Sequence, residues 1–450
     1  MHIRPPLGGE RGLNPELTIV VAHYPLKIWL ITVGEPLPID GNYARLWRTG
    51  LIAKMLANSG DSVTWWTSDF DHFSKRHRFG RHTTQIAGGI EYRLLHGCGY
   101  RKNISLSRQI DHLQIARQFA KQAKALQQPD IVLASLPTIE LAYAAVNYGR
   151  QHSVPVVLDI RDLWPDIFAE EAPLIARPLA RLALMPLEAV VNKACRGAAG
   201  ITGNSEDFVA WGVRRAGRSR TMFDRVFPFG YPQLDTDDTT TKAYTAAWRA
   251  RGVANDGYLT VCFFGSLSDR FDYETVLSAA RLLLDRKSSV RFVLCGNGEN
   301  LAKLREAAET TPNLIVPGWV NAAEIESLMR ISQVGLAPYR NGVGFEGNVP
   351  NKPIEYASGR LATVSCLNGA LAELIQKYDI GAQYESGRSA SLVAVLETLE
   401  QNRDVLERKC NNARSLFERS YRAEAVYNEM IDYLRSIAGS SGPIEIRGAP

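Results

Sequence analysis

A chain of 450 residues has room for two or three domains, and with 45% hydrophobic and 22% charged residues it can bury a large core. That balance excludes wholesale disorder, collagen-like repeats and a long coiled coil. The net charge of +5 is modest, so its distribution matters more than its total.

No apolar run reaches the roughly 18 residues that a membrane span needs. The opening segment Met1–Val21 interrupts its apolar stretch with charges, prolines and glycines, so a cleaved secretion signal is not expected and the chain is expected in the cytoplasm. Six cysteines (Cys98, Cys195, Cys262, Cys295, Cys366, Cys410) are scattered without a CxxC pair, which points to buried thiols and to neither a disulfide frame nor a zinc site.

In chain order, the first element is a strand over Lys27–Val33, then a glycine-bearing loop and a helix over about Tyr43–Asn58. Strand patterns recur at Ser62–Thr67, Ile90–Leu95, Ile131–Ser135 and Val156–Asp159, with helical spacing over Ser105–Gln127 and Ile139–Gln151. The alternation predicts a parallel sheet with helices on both faces. It pauses near Pro228, where the threonine-rich, acidic segment that follows reads as a linker over 231–257.

A second series starts at Tyr258–Gly265 and continues through Val290–Leu294, Leu314–Val316, Val334–Ala337 and Thr363–Cys366. The expected fold class is therefore α/β, with two doubly wound, Rossmann-like sheets facing a cleft. The division is an N-terminal domain over 1–230, the linker, and a C-terminal domain over 258–415. A last helix over 416–438 returns to the N-terminal domain, followed by a disordered tail over 439–450.

The segment Gly344–Gly359, which follows the strand Val334–Pro338, is the richest in chemistry. Its glycines make a flexible loop, and Pro350 and Pro353 suit the first turn of a helix starting near Pro350. The free N–H groups of that turn, with Asn351 and Lys352 nearest, would attract a phosphate or diphosphate. Glu355 lies about one turn further on and could accept hydrogen bonds from sugar hydroxyls; a capped helix with solvated charges is the plainer alternative.

These features resemble the family-4 retaining glycosyltransferases of the GT-B architecture, in particular the branch that builds bacterial surface polysaccharides. In that family the same loop and helix carry two glutamates, the second of which binds the nucleotide ribose. Glu355 matches it; the first falls on Gly347, with Glu346 one place early. The turn Phe263–Arg270 resembles the opening of the family's C-terminal domain, which implies a close backbone approach at Gly265 and Ser266 and a diphosphate contact from Arg270, unless Arg270 pairs with Asp269 or Asp272. Gly296 and Gly298 look like the family's second glycine turn, or a plain tight turn. Gly318 and Trp319 match the segment whose backbone meets the nucleotide base, Trp319 being either a base contact or a packing residue.

In the first half, the loop Gly34–Arg45 resembles the family's first βα loop, which implies contacts with acceptor and donor from Asp40, Gly41, Asn42 and Arg45; helix capping by Asp40 or Asn42 is compatible with this. The signature Asp159–Asp166 places three acids and an arginine at a strand end, where they are costly unless paired, solvated or used. Asp162 is the candidate at the acceptor end of the cleft, with Arg161 or Asp159 supporting it or forming a structural pair. Ser205 reads as a helix cap.

Bases cluster from Lys75 to Arg108 and again from Arg214 to Arg225, and the amphipathic segment Arg177–Lys193 either rests on a membrane or faces the core. No nucleic-acid module accompanies these bases.

The resemblance implies a retaining enzyme that moves a sugar from a nucleotide donor, UDP-linked by expectation, to a polyprenyl-diphosphate-linked saccharide. It would work peripherally on the inner face of the cytoplasmic membrane, in surface polysaccharide synthesis. No cofactor or metal is expected, because Arg270, Lys352 and the helix N-terminus supply the positive charge. The alternatives are a non-hydrolysing UDP-sugar 2-epimerase and a donor-binding protein without catalysis.

Overall fold

The computed structural model describes residues 25–41, 46–170, 172–233, 238–341 and 346–440. The tail beyond 440, and Asn42 and Arg45 of the first loop, lie outside them. The N-terminal strands are β1 (Lys27–Ile31), β2 (Ser62–Ser68), β3 (Phe70–Asp71), β4 (Arg76–His77), β5 (Thr83–Ala87), β6 (Ile90–Leu95), β7 (Ile131–Leu136), β8 (Val156–Ile160), β9 (Gly200–Gly203) and β10 (Arg225–Val226).

Eight of them form one sheet in the order β10-β9-β8-β7-β1-β2-β6-β5, while β3 and β4 make a small antiparallel ribbon. Every pairing in the sheet is parallel except that of β5 with β6. β5 has no counterpart in the sequence reading, because its alternation leaves Ile86 exposed and buries little.

The second sheet holds β11 (Leu259–Ser266), β12 (Val290–Asn297), β13 (Leu314–Gly318), β14 (Val334–Ala337), β15 (Ala362–Ser365) and β16 (Gly381–Gln383), in the order β13-β12-β11-β14-β15-β16. All its pairings are parallel. The order reverses beside β1 in the first sheet and beside β11 in the second. Crevices at the carboxyl ends of strands open at such switch points.

Two element assignments need correction. The linker reading of 231–257 gives way to a helix, Asp238–Ala250, packed on the C-terminal domain. Threonines are weak helix formers, so composition hid it. Packing overrides composition: Trp248 is fully buried and its indole N–H donates to the Glu324 carbonyl at 3.0 Å.

The last stretch is two helices, Arg403–Ser420 and Ala423–Ser440. Leu416, Phe417 and Tyr421 belong to the C-terminal core, whereas Val426, Tyr427, Ile431 and Leu434 lie in the core of the N-terminal domain. The break falls where Tyr231 N–H donates to the Tyr421 carbonyl and Ala423 N–H to the Tyr231 carbonyl, at 2.9 and 3.0 Å. The two chain crossings are thereby bonded to each other, and the final helix ties the domains together.

Candidate active site

At the switch point of the second sheet, Gly265 of β11 and Gly296 of β12 lie side by side, each one residue before its strand's end. Gly296 takes φ +149°, and a β-carbon there would lie 1.8 Å from the Gly265 carbonyl oxygen. Gly298, at φ +151°, has no more room beside the Leu267 backbone. Only glycine lets these strand ends meet.

Across the switch point the helix Asn351–Ser358 starts after Pro350, as the proline spacing predicts. Lys352 reaches back over β11: its ammonium donates to the Phe264 carbonyl at 2.9 Å and lies 4.9 Å from the centre of the Phe263 ring. A cation, two glycine strand ends and a helix N-terminus thus share one corner. Glu355, on the same helix, is 7% exposed. Trp319 follows β13 and is 70% exposed, so it is no core packing residue. Ser266, the last residue of β11, and Arg270, on the loop after it, are exposed.

The facing end of the first sheet is also charged, but there the charges satisfy one another. Asp159 is fully buried and accepts from Arg48 at 3.0 Å and from Arg161 at 2.6 Å. Burial alone would raise its pKa; Arg48 and Arg161 overcome that and hold it below the usual carboxylate range. Arg161 continues to Glu35, which accepts from the Thr49 amide at 3.1 Å and hydroxyl at 2.7 Å, and so caps the helix Arg48–Asn58. Asp159 and Arg161 are therefore a structural pair. Neither Glu35 nor Arg48 stood out in the sequence; both sit near turns as ordinary surface charges would.

Asp40 accepts from Arg78 at 2.5 and 2.7 Å and from the Leu37 amide at 2.8 Å, which pins the first loop to the ribbon. Gly41 follows it in a left-handed conformation, φ +127°.

Asp162 differs from its neighbours. Its carboxylate accepts from the adjacent Leu163 amide at 2.9 Å, and the Trp164 indole N–H also favours its ionised form. Burial raises its pKa, opposed in part by that amide, by Arg270 from the other domain and by Arg108 from its own. Arg270, on the C-terminal domain, is the largest of the charges that act on Asp162.

A second contact between the domains explains the departure at Gly347. The Ser205 hydroxyl, besides capping its own helix, donates to the Gly347 carbonyl at 2.7 Å. A β-carbon on Gly347 would lie 2.7 Å from an Asp207 carboxylate oxygen. A glutamate there would set one carboxylate against another. Glu346 is exposed, and its carbonyl accepts from the Ala370 amide at 2.7 Å.

The bases are less available than the sequence suggests. Arg93 pairs with Glu91, Arg215 with Asp166, Arg218 with Asp224, Arg220 with Glu206 and Arg225 with Glu429. Most partners come from distant segments, which no local reading could supply. Cys98 is exposed, unlike the other five cysteines. One group of possible metal ligands exists among the described residues: Asp69 meets His77 Nδ1 at 3.1 Å and His96 Nδ1 at 3.0 Å. It joins residues from three separate segments, so linear spacing did not reveal it.

Residues 245–416 match the family model described as glycosyl transferases group 1. The chain is a glycosyltransferase. Its two facing sheets are a GT-B fold, shared with solved structures at low identity. Anabaena HepE, solved in complex with UDP and glucose, is 15% identical at a TM-score of 0.62, over 91% of this chain and 100% of that one. Sucrose-phosphate synthase from Thermosynechococcus elongatus is 13% identical at 0.67, over 92% and 99%. The α,α-trehalose 6-phosphate synthase from Burkholderia multivorans is 14% identical at 0.66, over 95% and 100%. A comparison with curated proteins finds no match. In this glycosyltransferase the matched segment contains the Lys352 corner, and the ion-paired network and Asp162 lie outside it.

Proposed function

We propose that this glycosyltransferase moves a sugar, with retention of configuration, from a UDP-linked donor to a polyprenyl-diphosphate-linked saccharide at the cytoplasmic membrane face, in surface polysaccharide synthesis. The observation that carries the donor half is the corner where Lys352, the Asn351 helix N-terminus and the open ends of β11 and β12 converge. The leaving group is a nucleoside diphosphate, so the main catalytic task is to stabilise its growing negative charge. Pre-organised cations and amides do that without reorganising during the reaction. Glu355 takes the ribose, Trp319 flanks the base, and Arg270 reaches the diphosphate from the cleft side. HepE, with UDP and glucose bound in the same fold, supports a UDP-sugar donor.

On the acceptor side, Asp162 receives a hydrogen bond from the attacking hydroxyl. A membrane-bound acceptor is supported by the helix Arg177–Gly197, whose first half does not face the core. Leu174, Ile175, Leu179, Leu182 and Met185 are all exposed, Ile175 at 97%, and Arg181 lies exposed among them. An apolar face with a basic edge suits the surface of an anionic bilayer. No helix among the described residues is long and apolar enough to cross a membrane.

The test has two stages. Thermal shift against UDP, GDP, ADP and dTDP reads the base, because binding raises the melting temperature by mass action. Radiolabelled sugar from the preferred donor is then followed into a lipid extract. The reading fails if no nucleoside diphosphate shifts the transition, or if the label never enters the lipid phase.

A further inference from the structure

Within the basic stretch of the N-terminal domain, two cations stand apart from the ion-paired ones. Lys75 Nζ lies 4.8 Å, and the Arg108 guanidinium carbon 5.2 Å, from the centre of the Tyr100 ring. Arg108 also stacks on Trp164 at 4.3 Å. Their hydrogen-bond acceptors are oxygens of Asn103, for Lys75 the side chain at 2.6 Å and for Arg108 the carbonyl at 2.8 Å. Arg108 Nε is buried without a partner.

Asp71, the acid nearest Lys75 on the ribbon, accepts instead from the Phe73 and Ser74 amides at 3.0 and 3.2 Å. Burial and then the charge of Arg108 hold the Lys75 ammonium below the ordinary lysine range. Lys75 takes φ +56°, a left-handed conformation that a residue with a β-carbon enters at a cost. Arg108 sits in the first turn of the helix Leu106–Gln122, a turn that carries no acid, so the positive end of the helix dipole adds to the pair. Asp71 beside Lys75, and Asp162, Asp111 and Glu140 around Arg108, offset burial and repulsion only in part, so both cations stay held below their ordinary ranges and an arriving anion would relieve them.

We propose that Lys75 and Arg108 are the seat of the acceptor's diphosphate. The proposal rests on the acceptor class assigned above and gives it a site. Two observations favour a lipid-borne diphosphate over free phosphate or pyrophosphate. Arg108 stacks on Trp164, two residues from Asp162, so an anion at this seat lies near the group that meets the attacking hydroxyl. Exposed apolar side chains flank both cations in sequence: Phe73 beside Lys75, and Ile104, Leu106 and Ile110 around Arg108, with Leu106 at 82% exposure. The first prenyl units lie along them.

Farnesyl diphosphate, inorganic pyrophosphate and farnesol serve as probes in titration calorimetry of the full chain, with UDP thermal shift run in parallel. Farnesyl diphosphate is expected to bind at least tenfold more tightly than either of the others. Lys75→Ala/Arg108→Ala is expected to weaken it at least tenfold, and Lys75→Arg to restore most of the loss seen in Lys75→Ala. Lys75→Glu, at a half-buried position, gives a second disruptive variant in case loss of the Arg108 stacking unfolds the chain. Leu106→Ser/Ile110→Ser is expected to remove the advantage of farnesyl diphosphate over pyrophosphate.

Wild-type affinity in Lys75→Glu, or pyrophosphate binding as tightly as farnesyl diphosphate, overturns the proposal. UDP shifts unchanged in the variants show that the donor half is intact. A wild-type chain that ignores UDP but binds farnesyl diphosphate refutes the donor reading and leaves this seat standing.

Discussion

The two crevices present similar inventories and opposite arrangements. At the carboxyl ends of the first sheet, Arg48, Asp159, Arg161 and Glu35 consume one another's charge in a buried network. At the second, Lys352 donates to the Phe264 carbonyl and lies against the rings of Phe263 and Phe271, beside two glycines at the sheet's end. A fully buried charge network is scaffold; a cation at the glycine-lined end of a sheet can serve a ligand. Asp162, three residues from the buried Asp159, shows how sharp that boundary is.

The most damaging way to break the comparison is on the scaffold side. Asp159→Ala leaves two arginines buried without their shared partner, and removing one member of such a network costs about 3–5 kcal/mol. Chemical denaturation is expected to show a loss of that size. A loss under about 1 kcal/mol would mean that water reaches the network and that the pairing argument is wrong.

Lys352→Ala is expected to do the reverse: little change in unfolding, because the lysine's contact with a carbonyl is worth about 1 kcal/mol, and a fall in kcat of about 10²–10³ as one charge-stabilising donor is lost. If stability falls and turnover survives, Lys352 is scaffold as well and the contrast between the crevices collapses.

A smaller effect is expected at Trp319. Its exposure removes the packing alternative, so Trp319→Ala is expected to leave the melting temperature unchanged. A base stacked on an indole is worth about 1–3 kcal/mol, so the UDP dissociation constant is expected to rise roughly tenfold. Calorimetry with UDP checks both the direction and the size.

The sequence disclosed the donor side better than the acceptor side, and the reason is physical. Glycines at Gly265, Gly296 and Gly298, and the prolines before Lys352, are local devices whose meaning survives in a linear reading. Their roles depend on backbone conformation and helix starts. The acceptor side depends on pairings over long separations: Arg48 with Asp159, Asp40 with Arg78, Ser205 with Gly347. Nothing in the local pattern distinguishes Asp159 from Asp162. The sheets themselves were legible because their apolar runs are nearly continuous, as strands buried on both faces require. The helix Asp238–Ala250 was not, because one buried tryptophan outweighs a polar, threonine-rich composition.

The subtlest test concerns Asp162 itself. Burial raises its pKa above the ordinary aspartate value of 3.8, so it holds a proton to higher pH than an exposed aspartate would. If the ionised carboxylate orients the acceptor hydroxyl, activity is full above that raised pKa and falls as pH drops through it. The acid limb of kcat/KM is then displaced upward from the usual carboxylate range. Asp162→Asn cannot ionise, so it is expected to lower activity while abolishing that limb, with the rest of the profile unchanged. Arg270→Gln removes one of the charges that oppose burial and is expected to push the limb further up. A limb that stays in place in Arg270→Gln would show that the two residues do not face each other across the cleft when the enzyme turns over.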